Sequence, residues 1–505
     1  MKISLIEPPE QKTVYSIYGK ELILSAVRTH YPKQPQLIVA SILKKEANVK
    51  IIDMKINDSE KEQKYKEYPY GQGTISCYRK GSNFKSLKSI CTSDIIGITS
   101  NFTRSSEIII DIIKYLRKIG YKKKIIIGGS DATIRFDYYL KNGADIVILG
   151  EAENTAVKVI KALKKEKTLD NILGIAYKKG ENIICNKKNK NEVDINKVPF
   201  PAFELVDIKK YTEAFEGKIP KNVSLPVGII ETSRGCYNNC DFCPTSKLKN
   251  PYRSMSTKRV EELLNHYENY KIKTLIIMEN NIMSRLCIKN GRKKIIEMFD
   301  LMRKKGFAWE FGNGIEFGKF SSSGKIDYKL INRLFSNSVN KRNKLVGCYR
   351  ALIPLETLYE KSYKYYKKLK PYNEEYKIIK AIVKTGLPKI IFSLIIGRDE
   401  DNETTLNMIK ERVIEIKDLC NTYGVENYFA LYLLTPLPGS KLYRILKDKF
   451  IYPIEKYPEL YQFHTSVIGN KFYSPPELTF KKLELEKSIN GEKADKIIKY
   501  GKYDN

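Results

Sequence analysis

The chain has 505 residues, of which 42% are hydrophobic and 29% charged. This length and balance are typical of a globular protein with roughly two to four domains, and they exclude a small disulfide-stabilised protein, a fibrous protein and a disordered chain. The sequence contains no run of about 20 apolar residues that could span a bilayer, and its start, MKISLIEPPE, lacks the apolar core of a secretory signal. We therefore expect a cytoplasmic protein without a membrane span.

The charge of the chain is strongly positive, because 90 Lys and Arg against 58 Asp and Glu give a formal net charge of +32. Such a charge suits either an anionic partner or a lysine-rich background composition. Lysine pairs such as Lys44–Lys45, Lys164–Lys165 and Lys304–Lys305 are spread along the whole chain, whereas a dedicated nucleic-acid-binding face would concentrate arginine and aromatic residues. The distribution favours the background, and a nucleic acid is not the partner we expect.

The first 165 residues alternate between strand and helix patterns, as in a doubly wound, Rossmann-like α/β sheet. Apolar runs predict strands at 2–6, 49–54, 95–100, 124–127 and 145–149, and helical spacing predicts helices at 35–45 and 105–119. A lysine- and tyrosine-rich insertion is expected between 57 and 91. In such a sheet the ligand crevice lies beyond the carboxyl ends of the strands.

The next segment, 166–225, is predicted to be a linker. It contains a hairpin-like sequence, GIAYKKGENII, and then Pro199 and Pro201, which cannot lie inside a helix or a central strand. A second alternating block, 226–445, has predicted strands separated by helical patterns, at 228–232, 274–278, 308–312, 345–353, 389–396 and 429–434. These units predict a partial (β/α)6 barrel with its chemistry at the carboxyl ends of the strands. The tail, 446–505, is expected to form a small, mostly helical extension or lid.

Three cysteines, Cys236, Cys240 and Cys243, lie close together in the segment ETSRGCYNNCDFCP, directly after the first predicted barrel strand. A structural zinc ion takes four ligands, but the nearest histidine, His266, lies beyond the start of the next helix. Three thiolates suit a [4Fe–4S] cluster that keeps one iron open for an exogenous ligand. A chance grouping of cysteines or a zinc loop is the alternative.

The Cys-x3-Cys-x2-Cys spacing, at the first strand of a six-unit barrel, resembles the defining motif of the radical S-adenosylmethionine (SAM) enzymes. The resemblance implies that Cys236, Cys240 and Cys243 hold a [4Fe–4S] cluster whose free iron binds SAM. It also implies that reductive cleavage of SAM yields methionine and a 5′-deoxyadenosyl radical, with an electron donor of the flavodoxin or ferredoxin type as partner.

The resemblance extends to further barrel residues. Phe242 is the aromatic residue before the last cysteine of the motif. Glu279 and Asn280 match positions where relatives hold the amino group of SAM, and Glu356 matches a frequent contact to the ribose. For each of these polar residues a capping or loop-stabilising role is the alternative, because polar residues at strand ends are common in barrels.

The amino-terminal sequences SNFTRSS, IIIGGSDAT and DIVILGEAENT resemble, in this order, the cobalamin-binding domain that precedes the barrel in one branch of the family. Glycines there would let the backbone approach the macrocycle, and small hydroxyl residues would bond to its amides. The cobalamin-binding residues that the resemblance implies are Ser100, Asn101, Gly128, Gly129, Gly150 and Glu151. No histidine lies in an Asp-x-His-x-x-Gly sequence, so cobalamin would lack an axial imidazole. Asp131 stands where relatives commonly carry histidine, and a vestigial domain that binds no cobalamin is the alternative.

Together these features predict a cobalamin-dependent radical SAM C-methyltransferase that acts on a small-molecule or peptide substrate. A radical SAM cyclase or rearrangement catalyst is the main alternative. A tRNA methylthiotransferase is disfavoured, because Cys77, Cys91 and Cys185 are too widely separated in the sequence to match the second cluster motif of such enzymes. A non-catalytic cobalamin or iron–sulfur carrier is the last alternative, and the complete predicted barrel argues against it.

Overall fold

The computed structural model of the chain describes residues 1–25, 31–56, 61–186, 193–213, 219–245, 251–366, 368–491 and 494. The chain divides into two compact units. Unit 1 comprises Met1–Ala214, Leu437–Gly439 and Tyr452–Gln462, and unit 2 comprises Phe215–Pro436, Ser440–Ile451 and Phe463–Asn505. Within the described ranges, no helix combines the length and the apolar character needed to cross a membrane.

Unit 1 contains a large mixed sheet, a small antiparallel sheet and the helices that accompany them. Its strands, in chain order, are β1 (Lys2–Glu7), β2 (Glu10–Ile17), β3 (Lys20–Ser25), β4 (Asn48–Asp53), β5 (Glu62–Tyr70), β6 (Gly73–Lys80), β7 (Ile95–Thr99), β8 (Lys124–Gly128), β9 (Ile146–Ile148), β10 (Ile175–Lys179) and β11 (Asn182–Asn186). Its helices are α1 (Gln34–Leu43), α2 (Ser106–Lys118), α3 (Ser130–Ile134), α4 (Phe136–Lys141), α5 (Glu153–Lys164) and α6 (Ile208–Glu213).

The large sheet has the order β11-β10-β9-β8-β7-β1-β4, and its strands from β4 to β9 are parallel. Successive side chains of these strands point to opposite faces. Ile96 and Ile98 pack with residues of α2, whereas Ile95 and Ile126 pack with residues of α1 and α5. Because helices cover both faces, the strands are continuous apolar runs. The predicted doubly wound sheet is confirmed.

The strand order also fixes where a ligand can bind. β1 lies between β4 and β7, so the chain leaves β1 toward one side and later continues on its other side. This point is the topological switch of the sheet, where ligands of doubly wound folds bind beyond the carboxyl ends of the strands.

Two parts of unit 1 differ from the expectation. The hairpin β10–β11 joins the large sheet antiparallel to β9, so part of the expected linker extends the sheet, and the first segment of the unit runs to Ala214. The small sheet, of order β3-β2-β6-β5, includes part of the expected insertion. Its strands were not predicted, because charged residues interrupt their apolar positions.

Unit 2 contains the second large sheet. Its strands, in chain order, are β12 (Val227–Ile230), β13 (Ser233–Arg234), β14 (Arg253–Ser254), β15 (Thr274–Ile277), β16 (Ala308–Phe311), β17 (Ser321–Ser322), β18 (Lys325–Ile326), β19 (Asn337–Val339), β20 (Leu345–Glu356), β21 (Lys389–Ile396) and β22 (Glu426–Leu433). Its helices are α7 (Thr257–Asn269), α8 (Gly291–Lys304), α9 (Tyr328–Phe335), α10 (Tyr372–Val383), α11 (Glu403–Thr422), α12 (Lys441–Leu446) and α13 (Pro475–Asn490).

The barrel strands lie side by side in sequence order, β12-β15-β16-β20-β21-β22, and each neighbouring pair is parallel. The described helices α7 to α11 lie, in this order, in the five connections between successive strands. β19 adds an antiparallel partner to β20. The predicted partial (β/α)6 barrel is confirmed, and all its carboxyl ends lie at one edge of the sheet, where catalytic residues of such barrels are found.

The tail, expected as a lid, supplies the helix that covers the edge strand β22. The Phe429 N–H donates to Asn490 Oδ1 at 3.0 Å, and Asn490 Nδ2 donates to the Phe429 carbonyl at 2.9 Å. The Leu431 N–H donates to Glu486 Oε1 at 3.3 Å. Side chains of α13 thus satisfy backbone groups that a further strand would otherwise bind.

Candidate functional site

The cysteine loop, residues 231–245, follows β12 at the carboxyl edge of the barrel sheet. Glu279, a buried residue after β15, accepts hydrogen bonds from residues at the start of this loop. Glu279 Oε1 accepts hydrogen bonds from the Thr232 N–H at 2.8 Å and the Thr232 hydroxyl at 2.5 Å, and Oε2 accepts one from the hydroxyl of the next residue. Asn280 Oδ1 accepts a hydrogen bond from the Gly235 N–H at 3.1 Å. Both predicted residues therefore bind the loop itself and shape the backbone that carries the cysteines.

The three cysteines of the loop are partly exposed, unlike the buried Cys348 and Cys420 of the same unit. The Cys236 sulfur accepts hydrogen bonds from the Asn238 N–H at 3.4 Å and from Asn281 Nδ2 at 3.5 Å. Hydrogen bonds of this kind favour negative charge on a thiolate or a metal-bound sulfur. The three cysteines are thus only partly covered by the chain, and two N–H groups already donate to the sulfur of Cys236.

Cys236, Cys240 and Cys243 stay the predicted ligands of a [4Fe–4S] cluster. In the described part of the chain, no three His, Cys, Asp or Glu side chains converge on one point that a metal ion could occupy. The cysteines that hold a [4Fe–4S] cluster bind different irons.

Charged side chains lie around Cys240. Burial raises the pKa of its thiol to about 12, and the ammonium group of Lys368 opposes this rise. Lys368 pairs with Glu356, the last residue of β20, whose backbone φ is +59°. Burial works to lower the pKa of Lys368, but the carboxylates of Glu356 and Glu316 outweigh it and raise that pKa. Glu356, predicted as a ribose contact, is therefore engaged with a lysine beside the cysteine loop.

Glu316, which no sequence pattern predicted, lies after β16 and contacts the cysteine loop. Glu316 is buried, and its Oε2 accepts hydrogen bonds from Asn238 Nδ2 at 3.0 Å and from Asn281 Nδ2 at 2.6 Å. Asn281 directly follows the predicted pair Glu279–Asn280, so the same strand-end signal could have found it. Glu316 and Lys368 lie in loop sequences without a motif, and nothing in their spacing marks them.

The aromatic residue of the motif, Phe242, lies at the end of the loop. Its ring centroid is 5.8 Å from that of Tyr366. The Cys243 N–H donates to the Cys240 carbonyl at 3.3 Å. The second half of the loop is thus a tight turn whose aromatic side chain packs against another ring of unit 2.

The amino-terminal residues predicted to bind cobalamin lie at the carboxyl ends of β7, β8 and β9 in unit 1. The Ser100 N–H donates to the Gly128 carbonyl at 2.7 Å. The Gly150 N–H donates to the Thr133 hydroxyl at 2.8 Å, and Glu151 follows it, partly exposed, before α5. The residues that the structure brings to this edge of the sheet are Ser100, Asn101, Gly128, Gly129, Gly150 and Glu151.

The two glycines at the carboxyl end of β8, Gly128 and Gly129, differ in their surroundings. Gly129 has a φ of +125°, and a Cβ there would lie 2.2 Å from the Ser100 carbonyl oxygen and 2.7 Å from Asn101 Oδ1. At Gly128 a Cβ would meet no atom within 4 Å. The packing of the chain itself therefore requires glycine at 129, whereas Gly128 borders open space.

Asp131, which stands in place of the histidine of relatives, is an internal anchor of unit 1. It is buried and accepts hydrogen bonds from the hydroxyls of Thr103 and Tyr139, both at 2.5 Å. The Tyr139 hydroxyl also lies 2.6 Å from Ser100 Oγ. Asp131 therefore fastens α3 to the loop after β7, and its side chain is occupied by these contacts.

Comparison with known proteins agrees with this arrangement. Residues 230–412 match the model of the radical SAM superfamily. An uncharacterized methyltransferase from Pyrococcus horikoshii is 24% identical over 457 residues, which are 88% of this chain and 82% of the relative.

Two solved structures share the fold over nearly the whole chain. The cobalamin-dependent S-adenosylmethionine radical enzyme OxsB, solved with aqua-cobalamin and SAM, has a TM-score of 0.67 and 14% identity, covering 96% of this chain and 67% of its own. The radical SAM methyltransferase TsrM from Kitasatospora setae, solved with cobalamin and a [4Fe–4S] cluster, has a TM-score of 0.60 and 12% identity, covering 96% of this chain and 84% of its own. At these identities the likeness is one of fold. The part of the chain that holds the cysteine loop and most of the barrel, residues 230–412, is therefore a radical SAM domain, and the fold of the chain is similar to the folds of OxsB and TsrM.

Proposed function

We propose that this radical SAM enzyme is a cobalamin-dependent C-methyltransferase that methylates an unactivated carbon. The observation that carries the proposal is the combination, in one chain, of the cysteine loop on a partial barrel and a doubly wound sheet with open space at Gly128. The relative from Pyrococcus horikoshii is named as a methyltransferase, which supports the reaction class.

In this proposal Cys236, Cys240 and Cys243 hold a [4Fe–4S] cluster, and the edge of unit 1 around Gly128 holds cobalamin. When both are bound, they supply an electron for the cleavage of SAM and a cobalt centre for the transfer of its methyl group. A radical SAM methyltransferase of this fold, TsrM, has been solved with tryptophan as substrate, which supports a small-molecule substrate here.

The residues around the loop orient it and balance its charge. Glu279 and Asn280 fix the backbone before Cys236, and Asn281 donates to the Cys236 sulfur. The Lys368 ammonium places a positive charge beside Cys240, where thiolates and a cluster would concentrate negative charge.

One face of the last barrel strands suits radical chemistry. Leu352, Ile391, Ala430, Tyr428 and Tyr432 lie on β20, β21 and β22 and pack together. An apolar wall of this kind excludes water and limits the side reactions of a reactive intermediate. We propose that this face lines the space in which the substrate carbon meets the radical.

The cluster is tested first. Anaerobically reconstituted protein should bind about four iron and four sulfide per chain, the content of one [4Fe–4S] cluster. Reduced with dithionite, it should convert SAM to 5′-deoxyadenosine. Cys240→Ala should abolish both, whereas Cys287→Ala, which removes an exposed cysteine outside the loop, should leave both unchanged. A Cys236, Cys240 and Cys243 triple variant that keeps a SAM-cleaving cluster would contradict the assignment.

The cobalamin step is tested separately. Protein produced in the presence of cobalamin should retain it and show the spectrum of a form without imidazole ligation, because no histidine lies in the required sequence. Substitution of His30, His266 or His464 should leave that spectrum unchanged. If no cobalamin is retained while SAM is still cleaved, methyl transfer is wrong and a radical SAM cyclase or rearrangement catalyst takes its place.

A further inference from the structure

An ion pair joins the cysteine loop to the loop after β21. Asp241 directly follows Cys240, and its carboxylate oxygens lie 3.1 Å and 3.4 Å from the two terminal nitrogens of Arg398. The Arg398 side chain is 7% exposed. Two-point contacts of this kind fix the direction of both side chains as well as their distance.

Contacts to residues other than Asp241 also hold Arg398 in place. Its Nε donates to the Tyr366 hydroxyl at 3.1 Å, and its guanidinium carbon lies 4.1 Å from the ring centroid of Tyr365. Its backbone N–H donates to Asp401 Oδ2 at 3.0 Å, and its carbonyl accepts from Asn470 Nδ2 at 2.9 Å. Because the guanidinium is fixed on several sides, it offers Asp241 a rigid partner.

The two halves of the cysteine loop are held by different parts of the barrel. The half around Cys236 is bonded to residues that follow β15. The half from Cys240 to Cys243 is bonded through Asp241, whose carboxylate contacts Arg398 and whose carbonyl accepts from the Leu442 N–H at 2.8 Å. The relative placement of the cysteines thus depends both on residues that follow β15 and on residues that follow β21 and β22.

We infer that Arg398 is a positioning residue for the cluster, acting through Asp241. Its two-point contact fixes the Cys240–Cys243 half of the loop, and its charge offsets the carboxylate next to Cys240. The inference rests on the proposed cluster and goes beyond it, because it assigns both the geometry and the local charge of the site to a residue outside the motif.

The charge component predicts opposite shifts in the reduction potential of the cluster, which depends on nearby charge. Arg398→Gln leaves the Asp241 carboxylate unopposed, so the potential should fall. Asp241→Asn leaves the guanidinium unopposed, so the potential should rise, and the double variant should return toward the wild-type value. The measurement is a redox titration of the reconstituted, full-length protein followed by electron paramagnetic resonance.

The geometric component is tested by Arg398→Lys, which keeps the charge and loses the two-point contact. Its potential should stay near that of the wild type, while a chelator should remove its iron faster. The matched control is Arg292→Gln, which breaks a similar two-point pair between Arg292 on α8 and Asp327 just before α9 and should change neither quantity.

The outcomes separate the two proposals. If the wild-type protein takes up no iron, the proposed function fails. If it takes up iron but the two single variants shift the potential in the same direction, or not at all, the inference about Arg398 is overturned. Asp241→Asn keeps the shape of a side chain that is 23% exposed, so this variant should fold even if an arginine variant does not.

Discussion

Gly128, the last residue of β8, and Gly129, the residue after it, have separate roles that substitution can distinguish. Gly128→Val adds a side chain where a Cβ meets no atom within 4 Å, so the fold should tolerate it. The added side chain should occupy the space proposed for cobalamin and lower its affinity about tenfold or more, equivalent to about 1.4 kcal/mol. Equilibrium binding of cobalamin to the purified variant checks this, with the thermal midpoint measured in parallel.

Gly129→Ala is the contrasting variant. Its Cβ would lie 2.2 Å from the Ser100 carbonyl oxygen at a backbone φ of +125°, so the loop must shift and stability should fall by roughly 1–3 kcal/mol. Iron content should be unaffected by either glycine variant. Full cobalamin affinity in a folded Gly128→Val protein would show that the macrocycle does not approach this edge.

Residue roles at strand ends were harder to predict from the sequence than the cysteine motif. The spacing of Cys236, Cys240 and Cys243, together with its position after the first barrel strand, indicates the radical SAM domain that the family model matches. Glu279, the predicted contact to the amino group of SAM, accepts hydrogen bonds from the cysteine loop on both of its carboxylate oxygens. A polar residue after a strand looks the same in the sequence whether it faces a ligand or a neighbouring loop, and only the tertiary contacts distinguish the two.

At the scale of elements, the edge strand β22 depends on α13. Asn490→Ala leaves the Phe429 N–H and carbonyl without these partners in a buried position, and each such group costs about 1–3 kcal/mol. We expect the free energy of unfolding to fall by roughly 2–4 kcal/mol, measured by urea denaturation.

The control for this prediction lies on the same helix. Ser488 is exposed, and Ser488→Ala should change the free energy of unfolding by no more than about 0.5 kcal/mol. Equal effects of the two variants would mean that α13 stabilises the fold through packing alone and that the hydrogen bonds from Asn490 to the Phe429 backbone contribute nothing.

The predictable elements are those whose apolar pattern is complete within a short segment. The barrel strands were found because each is a buried run of mostly aliphatic or aromatic residues, such as β21 (Lys389–Ile396). β5 reads EQKYKEYPY and is mostly exposed or half-buried, so its sequence does not display a buried face. The packing partner of α13 could not be predicted, because the hydrogen bonds between α13 and β22 join residues 55 to 61 positions apart.

At the scale of the whole molecule, the units are not continuous in sequence. Residues Tyr452–Gln462 belong to unit 1, although the segments on both sides of them belong to unit 2. In unit 1 the Glu459 carboxylate lies 3.0 Å from the Lys66 ammonium, and the rings of Tyr68 and Tyr457 lie 5.1 Å apart. Contacts between residues some 390 positions apart leave no pattern in the local sequence. The sequence of the tail therefore predicts a single extension or lid and does not show that Tyr452–Gln462 belong to unit 1.

This returning segment should make stability depend on pH. The Glu459 side chain is fully buried, and burial raises its pKa from 4.5 to about 7, with Lys66 opposing the rise. The folded state therefore holds this proton more tightly than the unfolded chain, so its contribution to stability is fully present below pH 4.5 and is lost as the pH rises through 7. The loss amounts to about 3 kcal/mol.

Glu459→Gln removes the titrating group and keeps its shape. Between pH 5 and pH 8 the stability of this variant relative to the wild type should rise by about 2 kcal/mol or more, because only the wild type must then ionise a buried carboxyl group. Urea denaturation followed by far-ultraviolet circular dichroism at both pH values checks this. Glu455→Gln, at an exposed position of the same segment, should show no such change between the two pH values. A difference between Glu459→Gln and wild type that stays constant with pH would show that Glu459 is ionised in the folded protein throughout this range, held so by Lys66.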